Sequence, residues 1–226
     1  AWASVTRALR TPSRVDRDLY APSTPPYLLS GGPNFVSEKV IAYEVGYRVH
    51  PVSNLFIELA MFYNIYDDLR SVEPPLPYTI SNGLEGVTSG LELFVNYQAT
   101  NWWRLKPGLS YLNRQIRLKY RSADLNNGNA EGNDAPFRFH LQSQMDLPAG
   151  IEFDASFRFV DELPLRTAQA PAYAELTLRL GYSFTEHLSA SIVGQNLLHN
   201  EHLEYRYSST GGQIPRSVYG KFMVSY

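Results

Sequence analysis

The chain has 226 residues and no cysteine, with 20 basic and 22 acidic residues and a formal net charge of −2. This excludes thiolate metal sites, cysteine catalysis and the basic stripe that nucleic-acid binding requires. Hydrophobic residues make up 44%, yet no run approaches the roughly 18 consecutive apolar residues of a spanning helix, so any membrane crossing must be made by strands.

Taken from the start, Ala1-Trp2-Ala3-Ser4-Val5 reads as the inside of a strand with no charged leader before it, and the chain is read as a fragment. Ile41, Tyr43, Val45 and Tyr47 then alternate with Ala42, Glu44, Gly46 and Arg48. Successive side chains of a strand point to opposite faces, so such alternation marks a half-buried strand. Leu55 to Tyr66 is a noisier repeat of the pattern, and Leu91, Leu93, Val95 and Tyr97 against Gly90, Glu92, Phe94 and Asn96 is a clear one. Arg104 to Gln115 follows. Phe137 to Leu147 sets Phe137, Phe139, Leu141 and Met145 against Arg138, His140, Gln142 and Gln144, and Ile151 to Val160 sets Ile151, Phe153, Ala155, Phe157 and Phe159 against Glu152, Asp154, Ser156 and Arg158. Between Ala172 and Phe184 one face carries Leu176, Leu178, Leu180 and Tyr182 and the other Glu175, Thr177, Arg179 and Ser183; helical spacing would scatter the charges among the leucines. Leu188 to Asn196 and Ile214 to Tyr226 complete the series.

Short connections at 50–54, 99–102, 148–150 and 185–187 alternate with long polar stretches at about 11–38, 67–82, 116–135, 161–171 and 197–214. A soluble sandwich has no reason to keep that alternation, whereas a membrane barrel has short periplasmic turns and longer extracellular loops. Tyr47, Tyr97, Trp102, Trp103, Tyr182, Phe184 and Tyr226 cluster toward the short-turn ends, and Tyr63, Tyr66, Tyr111, Phe159 and Tyr173 toward the other, as interfacial girdles would. In the last segment Val218, Phe222, Val224 and the terminal Tyr226 share one face. A final strand ending on an aromatic residue resembles the signal read by the outer-membrane assembly machinery.

Several stretches together resemble the C-terminal barrel region of TonB-dependent outer-membrane receptors: residues 3–13, Glu38 with Tyr43-Glu44-Val45-Gly46-Tyr47-Arg48, residues 60–69, Asn82-Gly83 followed by Gly90-Leu91-Glu92-Leu93, and Val193-Gly194-Gln195-Asn196-Leu197-Leu198 with His202-Leu203-Glu204-Tyr205. The resemblance implies an all-β fold, a transmembrane antiparallel up-and-down barrel of which about ten strands are present here, the C-terminal part of a 22-stranded wall around a plugged lumen. Residues 1–226 are accordingly expected to be one barrel domain without plug or TonB box. The implied setting is the outer membrane of a Gram-negative bacterium, with membrane lipid, the protein's own plug domain, the TonB complex and a siderophore-type ligand as partners, and no nucleic acid. The implied function is uptake of a scarce nutrient such as a ferric siderophore, with no cofactor and no catalysis.

The lumen wall is expected to include Glu44, Glu92, Arg138, Glu152, Arg158, Glu175 and Arg179, mixed charges that need no catalytic explanation. Ligand capture is expected from long-loop Arg70, Tyr78, Arg121, Arg166, Tyr205, Arg206 and Tyr207, since Arg pairs with anions and Tyr offers a flat amphipathic surface. His199-Asn200-Glu201-His202-Leu203-Glu204 holds ligand-type residues, but strand parity separates His199 and Glu201 from His202 and Glu204, so a solvated loop terminus is expected and no metal. Asp67-Asp68 leaves open a ten-stranded outer-membrane enzyme of protease type, against the plainer reading of a turn element. A soluble β-sandwich binding module is the other alternative.

Overall fold

The computed structural model describes all residues except 130–131, 165–168, 208–209 and 226, and the side chains of 206, 207, 210 and 211 likewise lie outside the description. Its elements in order are β1 (Trp2–Arg10), α1 (Arg14–Asp18), β2 (Tyr20–Ala21), β3 (Leu29–Ser30), β4 (Glu38–Val52), β5 (Leu55–Glu73), β6 (Tyr78–Thr100), β7 (Trp103–Leu118), β8 (Phe137–Leu147), β9 (Ile151–Val160), β10 (Tyr173–Thr185), β11 (Leu188–Gln195), β12 (Glu201–Tyr207), β13 (Thr210–Pro215) and β14 (Ser217–Val224).

The main sheet follows the order β1-β4-β5-β6-β7-β8-β9-β10-β11-β14. Neighbours in space are neighbours in sequence once the elements inside connections are set aside, which is an up-and-down meander and not the Greek key of a sandwich. Antiparallel registers run without interruption along β1–β4 (Trp2↔Gly46 to Arg10↔Glu38) and β8–β9 (Arg138↔Val160 to Leu147↔Ile151). Large apolar side chains on alternate positions stay exposed: Ile41, Tyr43, Val45 and Tyr47 on β4, Met61, Tyr63 and Ile65 on β5, Leu180, Tyr182 and Phe184 on β10. A soluble protein would not leave so much apolar surface to water; it is the surface that a transmembrane wall turns to lipid.

Chain contacts divide the molecule into two compact units. The first comprises Ala1–Gly46, Met61–Gly90 and Leu112–Asn133. Its centre is Phe35, Leu84 and Ile80, all nearly inaccessible, with Asp16, Ser71 and Asp124 buried among them. The stretch 11–38, expected as a polar loop, is folded. Ser13 and Asp16 form a capping box at the head of α1, and β3 adds to β6 in parallel (Leu29↔Tyr78, Ser30↔Thr79). Arg17 donates to the Phe35 carbonyl from both Nε and Nη2, at 3.1 and 2.9 Å. Gly32 lies against the sheet so closely that a Cβ there would stand 2.0 Å from the Ile80 carbonyl oxygen.

A second correction concerns 67–82. Most of it is strand, and only Pro74-Pro75-Leu76-Pro77 connects β5 to β6. These strands are 19 and 23 residues long, whereas crossing a bilayer takes about 9–11. Asp67-Asp68 is therefore no loop opening; Asp68 sits within β5 with φ 58°, a local irregularity of the kind that bulges impose. Likewise, much of 197–214 is the hairpin β12–β13.

The second unit comprises Tyr47–Ala60, Leu91–Tyr111 and Asp134–Tyr226. Its tight β8–β9 connection is a 3-10 turn at Pro148–Gly150 in which Ala149 and Gly150 both take positive φ, 63° and 74°. Trp103, beside the β6–β7 turn, donates from Nε1 to Ser143 Oγ at 2.9 Å. Tyr173, expected in an interfacial girdle, instead stacks on His202 with ring centres 4.4 Å apart.

Candidate functional site

In the second unit the face opposite the exposed apolar rows is charged, and its charges meet across strands because the register sets them side by side. Glu175 stands opposite Arg158, and Arg179 opposite Asp154. Arg158 donates to Glu175 from Nε at 3.1 Å, and Arg179 reaches both Glu152 at 2.6 Å and Asp154 at 2.9 Å. A cavity of about 730 Å³ opens onto this wall, lined among others by Glu58, Glu92, Arg138, His140, Arg158, Tyr173 and Glu204. A smaller one of about 290 Å³ is lined by Gln98, Arg104, Gln144, Asp146, Asp154 and Arg179. Such walls can pair with charged groups of either sign.

Hairpin β12–β13 contributes a buried side chain to this region. His202 is only 8% exposed. Its Nδ1 lies 3.0 Å from Asn196 Oδ1 and its Nε2 2.9 Å from Glu204 Oε1, while Arg158 Nη2 donates to the same Glu204 oxygen at 2.6 Å. Burial raises the Glu204 carboxyl, but His202 and Arg158 more than offset this and hold it below the usual carboxylate range.

The first unit carries two ion clusters. Asp16 is fully buried and accepts from Arg10 at 3.0 Å, from the Ser13 backbone N–H and from Ser13 Oγ, both at 2.8 Å. Despite burial, these donors hold its carboxyl below the ordinary value. Arg10 also pairs with Glu38 and stacks over the Phe35 ring at 5.7 Å. Farther along, Asp68 pairs with Lys39 and Lys119, and Lys119 also with Asp67. Burial opposes ionisation of Asp68, yet its two ammonium partners push its carboxyl down. Asp68, held ionised by two ammonium groups, is a weak base and ill suited to activate water as the protease reading would need.

The residues expected in the capturing loops are scattered. Arg70 lies in β5, its backbone N–H donating to Glu38 Oε1 and its Nη1 3.7 Å from Asp16. Tyr78 opens β6 and its N–H donates to the Leu28 carbonyl. Arg121 does lie in a connection, with φ 71° and its guanidinium 5.2 Å over the exposed Tyr120 ring. Tyr205 is on β12 and 59% exposed. Arg206 and Tyr207 share that strand, but their side chains lie outside the described residues, as does the whole of Arg166. In the first unit Glu44 accepts from Ser4 Oγ at 3.0 Å; in the second, Glu92, Arg138, Glu152, Arg158, Glu175 and Arg179 lie as given above. Val218, Phe222 and Val224 are exposed on one face of β14; Tyr226 is outside the described residues. No group of three or more ligand-type side chains with metal geometry occurs among the described residues.

Sequence reasoning missed the buried His202, which alternation alone leaves at a loop end, and the Asp16 cluster. For Asp16 a signal existed: Ser13-x-x-Asp16 ahead of a short helix is a capping-box pattern.

Similar proteins agree with this architecture. The pesticin receptor of Yersinia pestis is 26% identical over 203 residues, 83% of this chain and 28% of the receptor. The ferric-catecholate import receptor Fiu of Escherichia coli K12 superposes with a TM-score of 0.74 at 17% identity, covering 98% of this chain and 32% of that one. The copper transporter OprC gives 0.70 at 15% identity, covering 99% and 38%. The chain thus spans about a third of the length of these relatives. A family model described as TonB dependent receptor-like, beta-barrel matches residues 1–197, and the chain belongs to that family.

Proposed function

We propose that this chain forms the C-terminal part of the wall of an outer-membrane receptor that imports a scarce nutrient, most simply a ferric siderophore or other iron complex, with energy supplied through TonB. The observation that carries this reading is the segregation of faces on one continuous meander: exposed Leu180, Tyr182 and Phe184 on one side of β10, paired Glu175 and Arg179 on the other. The first suits lipid, the second a wet lumen.

In this reading the ion-paired wall, with Glu44, Glu92, Arg138, Glu152, Arg158, Glu175 and Arg179, faces the protein's own plug domain. The connections carrying Arg121, Tyr205, Arg166, Arg206 and Tyr207 open to the cell exterior and take part in ligand capture, and Arg70 and Tyr78 support them from strands. The exposed apolar face of β14 with Val218, Phe222 and Val224 is the surface offered to the outer-membrane assembly machinery. Chemistry on the cargo is not required, since transport needs only capture, passage and release. Iron is favoured over other cargo by the name of the Fiu relative.

Uptake of radiolabelled ferric siderophore by Gram-negative cells that express the intact receptor, with and without TonB, tests the proposal. Iron accumulation that depends on both supports it. Copper accumulation in place of iron, or uptake indifferent to TonB, would overturn it.

A further inference from the structure

On β1 the exposed side chains of Val5 and Leu9 flank Arg7, and the register sets Val5 opposite Tyr43, Arg7 opposite Ile41 and Leu9 opposite Lys39. Ile41, Tyr43 and Val45 are exposed as well, so two cations stand in the apolar row that the transport reading turns to lipid. Arg7 is itself exposed and has no hydrogen-bond or ion-pair partner among the described residues. Lys39 is its diagonal neighbour on the same face, and such neighbours lie about 7–8 Å apart. A single anion can bridge the two.

Strand length gives the depth of this pair. β4 has 15 residues and ends at Val52, beside a short connection. A crossing takes about 9–11 residues, so counted back from that end the hydrocarbon layer gives out at about residues 41–44. Arg7, opposite Ile41, and Lys39 beyond it therefore stand where acyl chains end and headgroups begin. The other charges near this level cancel. Lys39 and Lys119 are matched by Asp67 and Asp68, and Arg117 by Glu85. Arg10, Glu38 and Glu44 occupy the alternate positions of β1 and β4, on the opposite face, and Arg114 likewise lies on the opposite face of β7 from Arg117. Arg7 leaves the row with one positive charge in excess, the complement of an anion.

We propose that Arg7, assisted by Lys39, is the headgroup site for a phosphate-bearing lipid of the outer leaflet, a site that rests on the membrane-wall reading above. The guanidinium donates a pair of parallel hydrogen bonds to the phosphate. Lys39 has three N–H donors and uses one on Asp68, which leaves it free to donate to the same phosphate. The acyl chains lie along Val5, Tyr43 and Val45, directly below the two cations on the same face. A lipid is the occupant, and not free phosphate, because headgroup and chains engage the cations and the apolar row together.

The test is photocrosslinking in the intact receptor, held in neutral detergent micelles, with p-benzoylphenylalanine in place of Val5, next below Arg7 on the same face. Phosphatidic acid and diacylglycerol with the same chains are offered separately at equal micellar content. The expected result is about tenfold more labelling by phosphatidic acid than by diacylglycerol, with the two brought to parity by Arg7→Gln. Arg14→Gln, which removes a 94% exposed cation on α1, keeps the preference, and inorganic phosphate at the lipid's concentration does not compete. Equal labelling by the two lipids beside native Arg7, a preference that survives Arg7→Gln or is lost in Arg14→Gln, or displacement by inorganic phosphate would overturn the proposal and leave the lipid-facing row standing. Labelling by neither lipid would overturn the assignment of the row, and the site with it.

Discussion

His140 on β8 lies directly opposite Gly108 on β7, and a Cβ placed on Gly108 would stand 2.2 Å from the imidazole Cε1. The ring covers the bare backbone of its cross-strand partner, and Trp2 treats Gly46 in the same way, with its indole 2.3 Å from where a Cβ would be. Glycine serves here by making room, so the two positions of each pair are coupled.

Gly108→Ala is therefore expected to push the exposed His140 ring aside at a cost of about 0.5 kcal/mol, while Gly108→Ala combined with His140→Ala is expected to recover most of the loss. Unfolding in urea, followed by tryptophan fluorescence in detergent, reads both.

Asp16 gives a pH dependence of known sign. Its folded carboxyl titrates below the ordinary value of 3.8, so the stability it adds is complete above that value and is lost as pH falls through its folded value. Hydrogen exchange of residues 13–36 is expected to accelerate at acid pH in the native chain. Asp16→Asn is expected to exchange faster at neutral pH and to lose that acid step, since the carboxylate oxygen that accepts from Arg10, the Ser13 N–H and Ser13 Oγ is replaced by a neutral amide, at a cost of about 1–2 kcal/mol.

Leu180→Arg tests which face meets lipid. With Leu180 on the exposed apolar row of β10, the substitution is expected to cost about 2–4 kcal/mol in a bilayer. Thr177→Arg on the opposite face is expected to cost much less. Folding yield into lipid vesicles measures the difference, and equal yields would speak against the assignment of faces.

Asp124 is 5% exposed and its carboxylate accepts from the backbone N–H groups of Val72, Asn126 and Gly128, at 2.7, 3.1 and 2.9 Å. Asp124→Ala is expected to free three backbone donors, that of Gly128 buried, and loosen residues 122–129 without unfolding the sheet. Limited proteolysis confined to that segment would show it.

The strands of the second unit were legible because each of their faces has one environment along its length. Phe153, Phe157 and Phe159 on β9 answer to a single apolar surrounding, and period two survives. Beyond about residue 66 of β5 that condition ends, because a strand that has left the bilayer no longer separates lipid from lumen. Asp67-Asp68-Leu69-Arg70-Ser71 consequently reads as a loop although it is paired backbone. Phe35 and Asp16 were illegible for a different reason: they are enclosed by segments far along the chain that no local pattern announces, such as Asn82, which bonds the backbone of Val36 beside Phe35, and Arg70, which reaches Asp16. For His202 strand parity correctly joined it to Glu204, but burial by Tyr173 and Asn196 is a tertiary fact.

The four-residue link between β5 and β6 has a bearing on how the cell surface is met by other molecules. Taking about 11 residues for the crossing, β5 has about eight to spare, roughly 25 Å of paired strand, tipped by Pro74-Pro75-Leu76-Pro77. On the proposed orientation this is a stiff post that stands clear of the membrane at small entropic cost. Antibodies raised against whole cells should find that proline tip early, and it offers an insertion point for a display peptide that leaves the barrel wall intact.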